Sequence, residues 1–432
     1  MRIVDLIEKK REGGEHTRSE IEQLVLGFTR GEVPDYQVAA WLMAVVWRGM
    51  TPVEAADLTR VMAASGQRLD LASVGRPVAD KHSTGGVGDK TSLVVMPLVA
   101  ACGVPVGKMS GRGLGFTGGT VDKLECFPGM QMDIDARRFV RQLRDVGLVI
   151  TGQSADLAPA DGKLYALRDV TGTVPSLPLI ASSIMSKKLA SGAHVIVLDV
   201  KAGAGAFMKS PAEARALAEI MVAIGRAAGR IMAAVVSDMS QPLGRTVGNA
   251  LEVREALDTL EGHGPDDLQP FAVELASLIV ALATDGLQGR EDVKTALNTG
   301  AGLAAFRRLV EAQGGDPRAF EDREALPRAA RQVPVPAPSD GYLARLDALS
   351  VARAATLLGA GRERKGDSVD LAVGVELLAK VGDSVGAGEP LAVLHVNDEQ
   401  RLAEAQAALL SGMRVSPHHV PRPSLILDRI GS

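Results

Sequence analysis

The fold class is set by one stretch of the sequence, which reads Ala190-Ser191-Gly192-Ala193-His194-Val195-Ile196-Val197-Leu198-Asp199-Val200. Its glycine is typical of the residue that ends a helix in a left-handed conformation. The aliphatic run that follows does not alternate with polar residues, which is typical of a parallel strand buried on both faces. The stretch therefore predicts a helix followed by an interior strand.

The same order of elements recurs along the chain. A glycine precedes a short apolar run at residues 103–106, 147–150 and 229–236. Helical patterns separate these runs, so strands and helices alternate. Alternation of this kind indicates an α/β domain with a mostly parallel central sheet.

The first sixty-odd residues predict helices only. Thr17-Arg18-Ser19-Glu20 and Thr51-Pro52-Val53-Glu54 are capping boxes, in which side chains satisfy the free amides of a helix start. Residues 36–47 are apolar on most faces, which predicts a buried helix in a subunit interface. Residues 164–189 interrupt the α/β pattern without a clear strand in their second half. They are compatible with a second segment of this small α domain.

The C-terminal part has a different composition. Residues 333–338 read Val-Pro-Val-Pro-Ala-Pro, which predicts a stiff linker. Beyond it, residues 380–385 and 388–393 predict short strands joined by tight turns. That pattern is similar to the barrel-sandwich hammerhead of lipoyl and biotinyl domains. Their modifiable lysine hairpin is absent from the sequence, so we expect a structural role.

Composition excludes several classes of function. A chain of 432 residues predicts two or three domains, and a net charge of -4 argues against binding to a nucleic-acid backbone. Cys102 and Cys126 have neither the number nor the spacing of a disulfide framework or a metal site. The apolar run at residues 41–46 is too short to span a membrane. We therefore expect a cytoplasmic protein without a membrane or nucleic-acid partner.

Residues 81–92, the first loop, read Lys-His-Ser-Thr-Gly-Gly-Val-Gly-Asp-Lys-Thr-Ser. Glycines let the backbone approach an anion, and the helix predicted to start near Ser92 offers free amides and a positive dipole end. Lys81 and Ser83 add a charge and a hydroxyl donor. A nucleotide-binding Walker A loop is excluded because Asp89 stands where that motif requires glycine before the lysine.

Residues 108–125, the second loop, follow a predicted strand and contain a Gly-x-Gly-x-Gly pattern. They lie at the carboxyl edge of the predicted sheet, where open α/β sheets bind ligands. The glycine spacing differs from that of a dinucleotide fold, and no acidic residue ends a following strand to bind a ribose. Two separate loops rich in Gly, Ser, Thr and Lys fit a single inorganic phosphate better.

These motifs resemble those of the thymidine and pyrimidine-nucleoside phosphorylases. The similarity includes both loops, the run Tyr165-Ala166-Leu167-Arg168-Asp169-Val170 and the run Ser182-Ser183-Ile184-Met185-Ser186-Lys187-Lys188. It covers nearly the whole chain, with a dozen or more residues at fixed spacing.

The resemblance implies three domains and a homodimer formed through the α domains. The α domain would comprise residues 1–68 and 161–192, and the α/β phosphate-binding domain residues 72–160 and 193–330. A C-terminal α+β domain of the barrel-sandwich type would comprise residues 335–432. The active site would lie in the cleft between the first two domains, and domain closure would bring base and phosphate together.

The resemblance also implies roles for individual residues. His82, Arg168 and Lys187 would be catalytic. The pyrimidine base would contact Arg168, Ser183 and Lys187, with His82 beside its O2 as acid or hydrogen-bond donor. Inorganic phosphate is the expected co-substrate, without an organic cofactor. The implied phosphate-binding residues are Lys81, His82, Ser83, Ser92, Lys108, Met109, Ser110 and Thr120.

Three positions differ from the family pattern or bear on specificity. Phe116 stands where relatives have histidine. A potassium site is implied at Gly88, Lys90, Leu243, Thr246 and Glu255. Relatives that bind the ion tend to carry threonine at position 90, and a lysine ammonium disfavours a cation there. Lys108 resembles the branch that accepts a broad range of pyrimidine nucleosides.

The expected reaction is phosphorolysis of uridine, thymidine and deoxyuridine to a free base and α-D-ribose or 2-deoxyribose 1-phosphate. Two enzymatic alternatives stay open: a thymidine phosphorylase selective for deoxynucleosides, and a phosphoribosyltransferase of related fold that binds pyrophosphate and magnesium. A third is a non-catalytic binding protein for nucleosides or sugar phosphates.

Overall fold

A computed structural model describes residues 1–113, 118–154, 156–362, 364 and 366–431. Its helices are α1 (Ile3–Arg11), α2 (Arg18–Arg30), α3 (Asp35–Arg48), α4 (Pro52–Ala64), α5 (Thr91–Ala101), α6 (Thr120–Leu124), α7 (Ala136–Val146), α8 (Pro159–Thr171), α9 (Leu177–Ala190), α10 (Pro211–Ala227), α11 (Asn249–Leu260), α12 (Leu268–Ala283), α13 (Arg290–Asn298), α14 (Ala301–Ala312), α15 (Ala348–Leu357) and α16 (Leu402–Ser411). Within the described ranges, none of them is long and apolar enough to cross a membrane.

The strands are β1 (Ala79–Ser83), β2 (Val106–Ser110), β3 (Leu148–Gly152), β4 (Val195–Ala202), β5 (Ile231–Asp238), β6 (Thr246–Val247), β7 (Arg331–Pro336), β8 (Gly341–Leu346), β9 (Gly374–Leu377), β10 (Ser384–Val385), β11 (Pro390–Val396), β12 (Met413–Ser416) and β13 (Ile426–Ile430). The central sheet has the order β13-β5-β4-β1-β2-β3, and all its pairings are parallel except that of β13. The predicted α/β fold with a mostly parallel sheet is confirmed.

Strand β4 is the one on which the sequence argument began. Every residue of it is buried. Val195 and Val197 pack on one side with the cluster that contains α5 and α12, whereas Ile196 and Leu198 pack on the other with α10. An unbroken apolar run is needed because helices cover both faces.

The N-terminal helices pack together with α8 and α9. Both capping boxes form: the amide of Glu20 donates to Thr17 Oγ1 (3.4 Å) and the amide of Glu54 to Thr51 Oγ1 (3.3 Å). Leu164 of α8 and Leu179 of α9 belong to the same apolar core as α1 to α4. The chain therefore returns to the helical cluster between β3 and β4.

The predicted linker at residues 333–338 is wrong, because residues 331–336 form strand β7. This strand pairs antiparallel with β11 at the edge of a sheet with the order β6-β9-β11-β7. Pro334 and Pro336 lack amide donors, and an edge strand tolerates that loss because only one side must pair. A second C-terminal sheet has the order β10-β8-β12.

The end of the chain also differs from the expected layout. Strand β13 leaves the C-terminal sheets and pairs antiparallel with β5 at the edge of the central sheet. Residues 426–430 therefore extend the α/β sheet, although the sequence analysis assigned them to the C-terminal domain.

Candidate active site

The two predicted loops meet at the carboxyl ends of neighbouring parallel strands. Lys81 and Ser83 lie on β1, which pairs with β2 on one side and β4 on the other. Lys108 lies on β2, and its ammonium donates to the main-chain oxygen of Lys81 (2.7 Å). Ser110 is the last residue of β2. The structure thus brings the lysines and serines of both loops to one edge of the sheet.

The first loop is held by a partly buried carboxylate, that of Asp89. Asp89 accepts hydrogen bonds from the hydroxyls of Ser83 and Thr91, the latter at 2.6 Å. Burial raises the pKa of Asp89, but Lys81, Lys201 and these hydrogen bonds outweigh it and hold the pKa well below its usual value. Asp89 is therefore ionised and fixes the loop before α5 begins.

Ion pairs neutralise most of the lysines around this edge. Such pairs lie in the interior, where an unpaired charge would be strongly unfavourable. The pairs are Lys81–Asp199 (3.3 Å), Lys123–Glu252 (2.8 Å), Lys188–Asp80 (2.8 Å), Lys201–Asp199 (2.8 Å), Lys90–Glu255 and Lys187–Asp161.

Lys108 differs from these lysines. Among the described residues no carboxylate forms an ion pair with it, and its ammonium contacts a main-chain oxygen. Burial, and after it the charges of Lys188 and Lys81, together lower the pKa of Lys108 to about 7, against the opposing effect of Asp80. A bound anion would favour the charged form of this ammonium.

His82 points to the other face of β1, toward α9. The ion pair between Lys188 and Asp80 (2.8 Å) joins α9 to β1 beside it. Burial and then the charges of Lys188, Lys108, Lys81 and Lys187 lower the pKa of His82 well below its usual value. Its Nε2 is buried without a hydrogen-bond partner among the described residues. His82 is thus a neutral imidazole surrounded by cations.

The base-binding candidates lie on α8 and α9. The ammonium of Lys187 contacts the carboxylate of Asp161 and the hydroxyl of Ser183 (3.3 Å). The guanidinium of Arg168 donates to the main-chain oxygens of Thr173 (3.3 Å), Leu179 (3.1 Å) and Val174 (2.7 Å). Arg168 therefore braces the connection between the two helices, and an ion pair with its neighbour Asp169 does not occur among the described contacts.

The remaining residues that were predicted to bind phosphate differ in their location and burial. Ser92 is buried in the first turn of α5, and Thr120 is the first residue of α6. The partly buried side chain of Met109 packs against the apolar cluster of Phe139 and Val149. Phe116 lies outside the described residues.

Sequence reasoning missed the carboxylates that order these lysines. Asp161 stands in the first turn of α8 and Asp199 near the end of β4, where its other oxygen accepts from Ser237 (2.7 Å). Asp199 was visible as a polar residue within the apolar run of β4. Nothing in the sequence indicated the role of Asp161 except its position near the start of a helix.

The implied potassium site does not fit a metal ion in this chain. The ammonium of Lys90 donates to the main-chain oxygens of Leu243 (3.1 Å) and Thr246 (2.8 Å) and contacts the carboxylate of Glu255. Gly88 lies against the same segment, but its oxygen accepts from the amide of Lys90 (3.0 Å). The position that a cation would take is filled by the lysine itself.

Cavities of about 430 and 560 Å³ lie beside the C-terminal sheets. None of the predicted phosphate-binding or base-binding residues lines either of them. The candidate site at the ends of β1 and β2 is therefore selected by the chemistry of its side chains and not by the volume of a cavity.

Three family models match the chain. The description "Glycosyl transferase family, helical bundle domain" matches residues 4–66, and "Glycosyl transferase family, a/b domain" matches residues 75–303. "Pyrimidine nucleoside phosphorylase C-terminal domain" matches residues 342–416.

Curated relatives are similar over their full length. The chain is 50% identical over 433 residues to a pyrimidine-nucleoside phosphorylase of Geobacillus stearothermophilus, covering 100% of both chains. It is 51% identical to that of Bacillus subtilis, covering 96% of each. Among solved structures, anthranilate phosphoribosyltransferase from Thermus thermophilus superposes with a TM-score of 0.58 at 20% identity, over 71% of this chain and 98% of that one. The last likeness shows a shared fold.

Proposed function

Because this chain belongs to the pyrimidine-nucleoside phosphorylase family of glycosyl transferases, we propose that the edge formed by β1 and β2 is the site of its phosphorolysis. The reaction splits a pyrimidine nucleoside with inorganic phosphate into a free base and a pentose 1-phosphate, and no organic cofactor takes part. The observation that carries this assignment is the hydrogen bond from the ammonium of Lys108 to the main-chain oxygen of Lys81 (2.7 Å), which brings both loops together where β1 and β2 end.

Phosphate binds between the first and second loops. Lys81 and Lys108 supply charge, and the hydroxyls of Ser83 and Ser110 lie at the ends of their strands. Ser92 at the start of α5 and Thr120 at the start of α6 complete the set with donors at helix starts. Charge-assisted hydrogen bonds are about twice as strong as neutral ones, which suits a small dianion.

The base binds toward α8 and α9. Arg168, Ser183 and Lys187 contact its carbonyl oxygens and N3. Two of these groups already hydrogen-bond to each other in the ligand-free chain, since Lys187 lies 3.3 Å from the Ser183 hydroxyl. Asp161 holds the ammonium of Lys187, which keeps it extended toward the site.

The reaction is a displacement at C1′ of the sugar. A phosphate oxygen forms a bond to C1′ while the C1′–N1 bond breaks, and the bonding pair leaves with the base. Negative charge grows on O2 and O4 of the base, where His82 and Lys187 stabilise the transition state more than the ground state. Because His82 is neutral, it acts as a hydrogen-bond donor to O2. Attack from the face opposite the base yields the α-anomer of the sugar phosphate.

Lys108 sets a broad substrate range. Its ammonium lies beside Lys81 and has no carboxylate partner in the described part of the chain, so a donor remains for a sugar hydroxyl as well as for phosphate. We therefore assign uridine, thymidine and deoxyuridine as substrates rather than deoxynucleosides alone.

Two copies of the chain associate through their α domains, which comprise residues 1–68 and 161–192. One face of α3 exposes an apolar stripe whose side chains recur every three or four residues. Its members are Tyr36, Ala40, Met43 and Trp47, and Trp47 is 81% exposed. Such a contiguous patch is typical of a surface covered by a partner. A second copy of the chain presents the same stripe, so the two stripes cover each other in the dimer.

Ultraviolet detection of free base from uridine and thymidine, with and without phosphate, tests the proposal. We expect release from both substrates that requires phosphate. Synthesis of a nucleotide from a base, dependent on a phosphoribosyl pyrophosphate and magnesium, would instead indicate a phosphoribosyltransferase. Unchanged release in a Lys81→Ala/His82→Ala double variant would contradict the placement of the site.

A further inference from the structure

Among the described residues, every hydrogen-bond partner of the Lys90 ammonium is an oxygen atom. The ammonium lies 3.1 Å from the oxygen of Leu243, 2.8 Å from that of Thr246 and 3.2 Å from the Thr246 hydroxyl, and it pairs with the Glu255 carboxylate. The lysine side chain is completely buried. Main-chain oxygens, a hydroxyl and one carboxylate are the ligands that a hard metal cation takes in proteins.

Two glycines allow the loops around this ammonium to approach. Gly88 has φ 71°, and a Cβ on it would lie 2.7 Å from the oxygen of Leu243. Gly244 has φ 70°, and a Cβ there would lie 2.4 Å from a carboxylate oxygen of Glu255. Both conformations are left-handed and both Cβ atoms would clash, so only glycine fits. The oxygen cage is thus a built feature of the chain.

We propose that the ammonium of Lys90 replaces a monovalent cation, so that the chain joins its first loop to the segment 242–246 without free potassium. A second cation at the same oxygens would lie against the ammonium, where burial leaves little screening of the repulsion. Because the replacement is covalently attached, its occupancy does not depend on ion concentration, unlike that of a bound ion.

The contacts of the Lys90 ammonium connect three parts of the fold. Lys90 follows Asp89 of the first loop, and Glu255 belongs to α11. From the other side, Lys380, in the connection between β9 and β10, donates to the oxygens of Pro242 and Gly244, the latter at 2.8 Å, and pairs with Asp267 (2.9 Å). The segment 242–246 is therefore held between two ammonium groups, and only one of them occupies the oxygen cage with Glu255.

Thermal unfolding in potassium chloride and in choline chloride of equal ionic strength tests the proposal. Choline is too large for the cage, so the comparison isolates the small cation. We expect the same Tm for the natural chain in both salts. For Lys90→Thr we expect a lower Tm in choline chloride that rises saturably with potassium or ammonium ions. Thr246 and Glu255 also line the cavity of about 560 Å³, which gives ions a route to the cage.

Lys90→Met is the matched control, because it fills a similar volume but provides neither a charge nor room for an ion. We expect a lower Tm that no cation restores. Isothermal titration of potassium into Lys90→Thr should show one site, and titration into the natural chain none. A saturable rise of the natural chain's Tm with potassium, or a Lys90→Thr Tm that is the same in both salts, would overturn the proposal. These readouts measure stability and binding, so they do not depend on the assigned reaction.

Discussion

The guanidinium of Arg362 donates to both carboxylate oxygens of Asp122, at 3.0 and 2.8 Å, across 240 residues of sequence. It also donates to the main-chain oxygen of Gly113 (3.2 Å). Asp122 in turn accepts from the amide of Gly113 (2.6 Å) and pairs with Arg112 (3.1 Å). The C-terminal part of the chain therefore fixes the second loop next to the proposed phosphate site, in addition to any structural role of its sheets.

We expect Arg362→Ala to raise the KM for phosphate about tenfold and to lower Tm. Removing one partner of a buried ion pair destabilises by about 3 to 5 kcal/mol, and Asp122 retains Arg112 and an amide, which favours the lower end. Steady-state kinetics and thermal unfolding measure the two effects. Arg364→Ala, an exposed arginine of the same segment, is the control. Equal effects of both variants would mean that the contact with Asp122 does not order the loop.

Phosphate binding should take up a proton through Lys108. In the ligand-free chain burial lowers the pKa of this ammonium to about 7, so at about pH 8 it is mostly neutral. A bound dianion favours the charged form and raises the pKa, so binding takes up protons and the affinity falls as the pH rises above 7. Calorimetry in buffers of different ionisation enthalpy measures the uptake.

Lys108→Arg is the matched variant, because a guanidinium stays charged at every accessible pH. We expect it to bind phosphate without proton uptake at about pH 8. Lys108→Met should lose most of the affinity. Undiminished uptake in either variant would assign the proton to another group.

His82→Gln should slow base release on the order of a hundredfold, the usual loss when one transition-state donor is removed. The imidazole is neutral in the natural chain, so its loss removes a donor rather than a charge. His194→Gln is the control. His194 lies at the amino ends of the parallel strands, just before β4, and accepts a hydrogen bond from the amide of Val78 (3.1 Å). Rapid-mixing measurement of base release distinguishes the two; equal rates would exclude His82 from the reaction.

Asp161 is expected to act as a positioning residue for Lys187. Asp161→Asn removes the charged partner of the Lys187 ammonium, so we expect the KM for the nucleoside to rise about tenfold, with a smaller change in the KM for phosphate. A single hydrogen bond to a charged group contributes about 1.5 to 3 kcal/mol, which permits such a change. Asp169→Asn, exposed on the same helix, should leave both constants unchanged. A proportional rise of both KM values would point to general destabilisation.

Trp47→Glu should convert the proposed dimer to a monomer, because it places a charge within the apolar stripe of α3. Sedimentation velocity over a range of concentrations measures the mass. Leu287→Glu changes a side chain that is 89% exposed on the connection between α12 and α13, and it should leave the dimer intact. A natural chain that sediments as a monomer at every concentration would contradict the proposed interface.

Strand β1 shows where sequence reasoning reached its limit. The sequence predicts an anion-binding segment at the first loop, but the first three residues of that loop form the end of β1, a strand that is buried over its first three residues. Asp80 and Lys81 break the apolar pattern that identifies such strands. They are buried because Lys188 and Asp199 neutralise them, and both partners lie more than a hundred residues away in sequence. No local sequence pattern predicts a strand whose burial depends on charged residues that are far away in the sequence.

The sequence by itself determined the α/β class and the positions of both glycine-rich loops. Helix ends, capping boxes and aliphatic runs such as 195–200 depend on neighbours within a few residues, so they are visible in the order of residues. The tertiary structure decided which carboxylate pairs with each lysine or arginine. Lys90 meets Glu255 and Arg362 meets Asp122 only after the chain has folded, because such pairs join positions 165 and 240 residues apart. An ion pair forms only between side chains that lie close in space, and the fold decides which side chains do so.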